Sequence, residues 1–347
     1  MTDPDRFRLG RELRGVSQVE LLRRLDGQLS APALSQIETG ASRPSPATLA
    51  RLAAALDVPV NFFDRRGPLP DGYFRSLRAT PARDRKQALA YAVCVHDLAV
   101  TLDTLGELPE FDLPHIDWHD DAEFGRPTRK AIRRAAMRAR RHFGLSEGPI
   151  RNVVAVLERH GVVTCRLVLN YDKIDAFSLP YPDRPVIVLS TGKGKTARSR
   201  FDAAHELGHL LLHDVGDAGT KAVEDEAHAF AAEFLMPAAA IIDELPERAD
   251  WDVLVDLKLR WRVSIGALLY RAKTLRKMND HTYVNALKAM SARGWRIDEP
   301  GDTELGAPER PRVLRQAVED ALNEGIDQAS LATKAGVPQD VIDLIAP

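Results

Sequence analysis

His205-Glu-Leu-Gly-His-Leu-Leu-Leu-His-Asp214 decides the reading of this chain. These residues hold H-E-x-x-H inside an apolar, helix-forming run, the pattern by which one helix offers a metal two imidazoles and a general base. At 3.6 residues per turn His205 and His209 share a face, so both rings reach one ion. Glu206 lies about 100° round from His205, near enough to hold the attacking water. His213 falls on the same arc, but eight residues from His205 is about 12 Å along the axis. One tetrahedral ion cannot join all three. His213 is therefore read as a partner of a ligand, a substrate contact or a surface residue.

A third ligand is expected from a neighbouring element. Val223 to Pro237 repeats Ala227, Phe230, Ala231, Phe234 and Leu235 at helical spacing, and Pro237 ends the pattern. Glu224 is the first candidate there and Glu226 the second, while His228, one turn after Glu224, is expected to support a ligand. Two His, one Glu and an open position make a catalytic His₂Glu site suited to one zinc per chain. Manganese or iron(II) could take the same ligands.

The amino-terminal region reads differently. Ser17 and Glu20 form a capping box for the helix to Leu25, and Asp26-Gly27 marks a turn. Ala33 to Gly40 is a short helix closed by glycine. Ser45-Pro46 opens another, with Leu49, Leu52, Ala53 and Leu56 at helical spacing.

Two resemblances follow from these residues. Arg198 to His213 with Glu224 to Pro237, the helical segment Trp261 to Arg271, and the strand region Ile150 to Leu189 with Ile174 to Ser178 are similar to the ImmA/IrrE family of bacterial metallopeptidases. That resemblance covers about 150–275 and implies a gluzincin-like zinc endopeptidase with Glu224 as third ligand. The family more often has Asn where this chain has His228. It also implies narrow specificity, namely hydrolysis of a repressor-like protein partner or of the chain itself. Residues 6–63 resemble the Xre/Cro-type helix-turn-helix domain, whose second helix enters the major groove. Carried over, Ser30, Ala31, Ala33 and Gln36 would face bases, with Gln18 and Arg43 near phosphates. Operator DNA and a homodimer are the implied partners.

Charge fits this only locally. Residues 1–66 carry ten arginines against eight acids, and the whole 347-residue chain has a net charge of −2. Arg129 to Arg141 is a strongly basic helix with Ala131, Ile132, Ala135, Ala136 and Ala139 as its apolar stripe. It reads as a solvated face, with phosphate contact as the functional alternative. No apolar run has the length of a membrane span and no signal peptide is recognised, so a cytoplasmic protein is expected. Cys94 and Cys165 lack metal or redox spacing and read as packed thiols.

The fold class expected is α+β, mainly α. Residues 1–66 form the helix-turn-helix domain, 67–127 a linker and helical connector, 128–280 the peptidase domain with a small β-sheet, and 281–347 a C-terminal helical region. Gln328 to Pro338 faintly echoes half a helix-turn-helix and reads as a packing or dimer contact. Three functions fit this architecture: a zinc-dependent protease-regulator, a transcription factor whose metal-bearing domain is a noncatalytic sensor, or a peptidase whose first domain recognises a protein.

Overall fold

Asp3, Ser17, Ser30 and Ser45 each accept a hydrogen bond from a backbone N–H two or three residues on, and each starts a helix. These are α1 (Pro4–Leu13), α2 (Gln18–Arg24), α3 (Ala31–Glu38) and α4 (Pro46–Leu56). A computed structural model describes residues 2–64, 81–106, 108–118, 122–123, 125–167, 175–191, 195–214 and 220–345. The chain continues with α5 (Ala82–Thr104), β1 (Ala122–Glu123), β2 (Arg126–Pro127), α6 (Arg129–His142), α7 (Val153–Arg159), β3 (Val163–Leu167), β4 (Ala176–Leu179) and β5 (Val186–Ser190). Next come α8 (Thr196–Leu212), α9 (Lys221–Leu235), α10 (Ala238–Ile241), α11 (Trp251–Trp261), α12 (Ile265–Thr274) and α13 (Asp280–Ala292). Last are α14 (Asp302–Leu305), α15 (Val313–Asn323), α16 (Gln328–Ala335) and α17 (Gln339–Ile345). The fold is mainly α within α+β, as expected. Arg65 to Gly72, whose Gly and Pro residues read as a linker in the sequence, lies outside the described residues.

These elements form two compact units. The first comprises residues 1–111, 161–188 and 311–347. Its core joins Phe7, Leu34, Leu52 and Phe62 to Val93 and Leu98 of α5, to Val163, Phe177 and Val188 of the strands, and to Leu314 and Val318 of α15. Phe7 stacks on Phe63 at 4.4 Å. Arg6 forms a buried ion pair with Asp97 of α5 at 2.5 Å, and Arg14 pairs with Asp340 of α17 at 2.7 Å. The three strands run in the order β3-β5-β4. Cys94 and Cys165 are buried free thiols, and burial pushes the Cys165 pKa up to about 12.

The second unit comprises residues 112–160 and 189–310. Here α6 and α8 pack against α9, and α11, α12 and α13 pack in succession. Gly208 of α8 permits the closest approach. A Cβ there would sit 3.0 Å from the Phe230 ring and 3.3 Å from Ala227 Cα on α9. The apolar stripe of α6 is buried as its spacing predicts. Arg140 is buried too, donating to the carbonyls of Phe234, Ser146 and Gly148, and burial lowers its pKa to about 10.

Residues 161–188 lie with the amino-terminal helices rather than with the rest of 128–280, and 311–347 joins them. The physical reason is apolar burial: β4 is buried along its whole length, and the strands share their core with α5 and α15. The echo at Gln328 to Pro338 forms one short helix, α16, capped by Gly336, with α17 following from Gln339, and Leu331, Ala335, Val337, Val341 and Ile342 are spent on this core.

Candidate metal centre and nucleic-acid interface

Helix α8 is held by its own buried cation. Arg200 forms a buried ion pair with Glu309 and also donates to the carbonyls of Ile150 (2.6 Å) and Arg262 (3.1 Å). The end of α9 is held in the same way, with Glu233 paired to Arg271 and accepting from Ala238 N–H at 3.0 Å. Between these anchors the two helices face each other across Gly208.

The result is a triad. His205 Nε2 lies 3.0 Å from His209 Nε2 and 3.3 Å from Glu224 Oε2, and His209 Nε2 lies 3.8 Å from Glu224 Oε1. A tetrahedral ion with ligand bonds near 2.05 Å has edges of about 3.3 Å, so these separations bracket what one zinc needs. Burial lowers the His205 pKa despite the opposing hydrogen bond with Glu224. His209 is pushed down to about 2 by burial and by the neighbouring His205, His213 and His228. Two neutral imidazoles and a carboxylate are the donor set of a His₂Glu zinc site. His205 Nδ1 is buried with no hydrogen-bond partner among the described residues. Glu206 is buried within α8, next to His205.

Glu226 does not join the triad. Two residues on from Glu224, it points about 200° round α9. There it accepts from His213 Nε2 at 2.9 Å and from Arg126 Nε and Nη2 at 2.7 and 2.9 Å. Burial pulls its pKa up, yet these hydrogen bonds outweigh burial and hold it below the ordinary value. His213, where α8 gives way to extended backbone, also places Nδ1 3.1 Å from His209 Nδ1. A continuous chain thus runs from His209 through His213 and Glu226 to Arg126. Sequence spacing could flag His213, at i+4 from His209. Arg126 carried no such signal, because the short β1–β2 hairpin, which pairs Glu123 with Arg126, delivers it from 100 residues away.

His228 sits beside the triad. Its ring meets that of His205 at 4.4 Å, and its Nδ1 lies 2.7 Å from the Glu224 carbonyl. It also lines a cavity of about 490 Å³ together with Phe201, Asp202, Met236 and Tyr270. Tyr270, Arg271, His281 and Tyr283 could each stabilise an oxyanion by residue type, and of these Tyr270 reaches this cavity. Arg271 is committed to Glu233 and Met236, Tyr283 packs against Tyr270 and Lys273, and His281 lies beside Asn285.

The amino-terminal surface has its own geometry. Ser30 caps α3, with Oγ accepting from Ala33 N–H at 3.3 Å, so the expected reading residues begin one turn of helix. Ser30, Ala31 and Gln36 are exposed and Ala33 is half-buried, while Arg43 is exposed beyond α3. Gln18 opens α2 and donates from Nε2 to Glu38 at 2.8 Å. Glu38 also accepts from Arg11 Nε and Nη2, at 2.8 and 3.0 Å. The α2 end is thereby fixed against α3.

The fold and the triad define a helix-turn-helix protein joined to a metallopeptidase-like domain. Family comparison agrees: residues 157–273 match the IrrE N-terminal-like domain, and residues 7–63 match the Helix-turn-helix family. The chain therefore carries an IrrE-like peptidase-family domain fused to an amino-terminal helix-turn-helix domain, and a domain of the latter kind implies DNA binding. No curated protein matches the chain. Among the described residues no helix is long and apolar enough to cross a membrane.

Proposed function

We propose that this protein is a DNA-binding regulator with a zinc-dependent endopeptidase centre, hydrolysing a peptide bond in a repressor-like partner or in itself. The observation that carries this reading is the His205–His209–Glu224 triad, with donor separations of tetrahedral size. Bound zinc would supply a Lewis acid for the scissile carbonyl and would acidify water at neutral pH. His205, His209 and Glu224 would hold it, and every other task falls to the chain.

Glu206 takes a proton from the attacking water and passes it to the leaving amine. Tyr270 supplies an O–H donor at the cavity wall for the developing oxyanion. If His209 gives its Nε2 lone pair to the ion, its Nδ1–H donates to His213 Nδ1. His213 must then carry its proton on Nε2 and donate it to Glu226, whose charge Arg126 balances. This chain fixes the His209 tautomer and ring plane, which is how histidine ligands are kept oriented. The exposed leading end of α3, from Ser30 to Gln36, reads operator bases, and a homodimer would present two such helices to a two-fold operator.

The test is intact-mass analysis of metal-loaded wild type and Glu206→Gln, alone and mixed with the protein products of neighbouring genes. A fragment formed by wild type, and lost with the variant or a chelator, is expected. Zinc bound at His205, His209 and Glu224 with no fragment under any of these conditions would instead favour the noncatalytic sensor, for which the 490 Å³ cavity beside His228 is the natural ligand pocket.

A further inference from the structure

We propose that Asp112, His142 and His160 form a second divalent-metal site that shares no residue with the His205–His209–Glu224 triad. The cluster joins three separate segments of the second unit. His142 is the last residue of α6 and His160 caps the end of α7. Asp112 is tied to α7 through its backbone N–H, which donates to the His160 carbonyl at 3.1 Å.

The side chains then converge. Asp112 Oδ2 lies 3.0 Å from His142 Nε2 and 3.5 Å from His160 Nδ1, and the three donor atoms lie within 4.8 Å of one another. The two shorter separations again bracket the edge of about 3.3 Å that one tetrahedral ion requires. The Asp112 carbonyl, 3.1 Å from His142 Nε2, brings a further oxygen to the same place.

Ring packing fixes the two imidazoles. The Phe143 ring lies 4.6 Å from that of His160 and 5.6 Å from that of His142. Neither histidine can swing away without giving up an aromatic contact. Asp112 and His142 are exposed and His160 is half-buried, so an ion has a way in and keeps positions for water.

Two nitrogens and one carboxylate favour the borderline metals zinc, cobalt, nickel and copper over magnesium or calcium, which take oxygen ligands. Such an ion would staple the segment at 112 to the ends of α6 and α7. Because the unfolded chain does not hold the three donors together, binding stabilises the fold by mass action. The inference is independent of peptidase activity.

Metal stoichiometry tests it, by equilibrium dialysis of the full chain against zinc. Wild type should retain about two equivalents. His142→Ala/His160→Ala should retain about one, and so should His205→Ala/His209→Ala. In the second of these variants, cobalt(II) should give a nitrogen-ligated visible spectrum and zinc should still raise Tm. Asp112→Asn keeps the size of the side chain and decides the matter if the double alanine variant fails to fold. One equivalent in both wild type and Asp112→Asn, with none in His205→Ala/His209→Ala, would overturn the site. Loss of binding at the first triad alone would leave the second equivalent in place, so the two sites fail separately.

Discussion

The α8–α9 centre and the α2–α3 surface are built on opposite principles. In the candidate metal centre, polar chemistry is buried between two helices, and Glu206, His209, Glu224 and Glu226 are all nearly inaccessible. In the helix-turn-helix, apolar residues such as Leu21, Leu34 and Ile37 are buried, while Ser30, Ala31 and Gln36, proposed to meet bases, are exposed. Buried polar atoms cost free energy unless each has a partner, so the metal centre needs supporting residues from distant elements. The exposed surface needs only its helices held at the right angle. Substitutions should therefore propagate in the first region and stay local in the second.

The largest effect should come from Glu206→Gln. It keeps the metal ligands and removes the base, so cleavage should fall by about 10²–10⁴-fold while zinc content is unchanged. Cleavage surviving at the wild-type rate would show that another group takes the proton.

Next, His213→Ala and Glu226→Gln should each weaken zinc affinity by about 10–100-fold without touching a ligand. Competition with a chromophoric chelator reads this directly. If affinity is unchanged, the chain from His209 to Arg126 serves packing alone, and the contrast between the two regions is weaker than drawn.

Gly208→Val probes the same region through packing rather than polarity. The added carbons meet Phe230 and the Ala227 backbone, so thermal unfolding should report a loss of about 1–3 kcal/mol. In the helix-turn-helix, Gln36→Ala should instead relax base preference by about 1–3 kcal/mol at one operator position, with Tm unchanged. A Tm loss as large as that of Gly208→Val would break the comparison.

The smallest effect should come from acid titration of Glu38. Burial pulls its pKa up, but hydrogen bonds from Arg11 and Gln18 outweigh this and leave it lowered in the folded state. Such a group contributes stability above its unfolded pKa of about 4.3 and loses it as pH falls through the lower folded value. Stability measured between neutral and acid pH should therefore fall less steeply in Glu38→Gln than in wild type.

Much of the site was legible because its information is local. His205, Glu206 and His209 lie within one turn and a half, and the caps Ser17, Ser30 and Ser45 act over three residues. The helices of the amino-terminal domain were legible in the same way, and Gln18, expected near phosphate, braces Glu38. Arg126 was not legible, since nothing near it in sequence announces a partner on α9.

The sequence by itself determined that a helix would carry two histidines and a glutamate on adjoining faces, since helical periodicity requires it. It also determined the apolar stripes of α6 and α9, and the capped helices of the amino terminus. Only the tertiary structure placed Glu224 rather than Glu226 beside the two histidines, with Phe230 packed against Gly208 on the side of α9 that faces α8. It alone turned His213 inward to Glu226, gathered Asp112, His142 and His160 from three segments, and placed the strands with α5 and α15. Those outcomes depend on contacts between residues far apart in sequence, where burial of apolar surface chooses the neighbours and polar groups must then find partners among them.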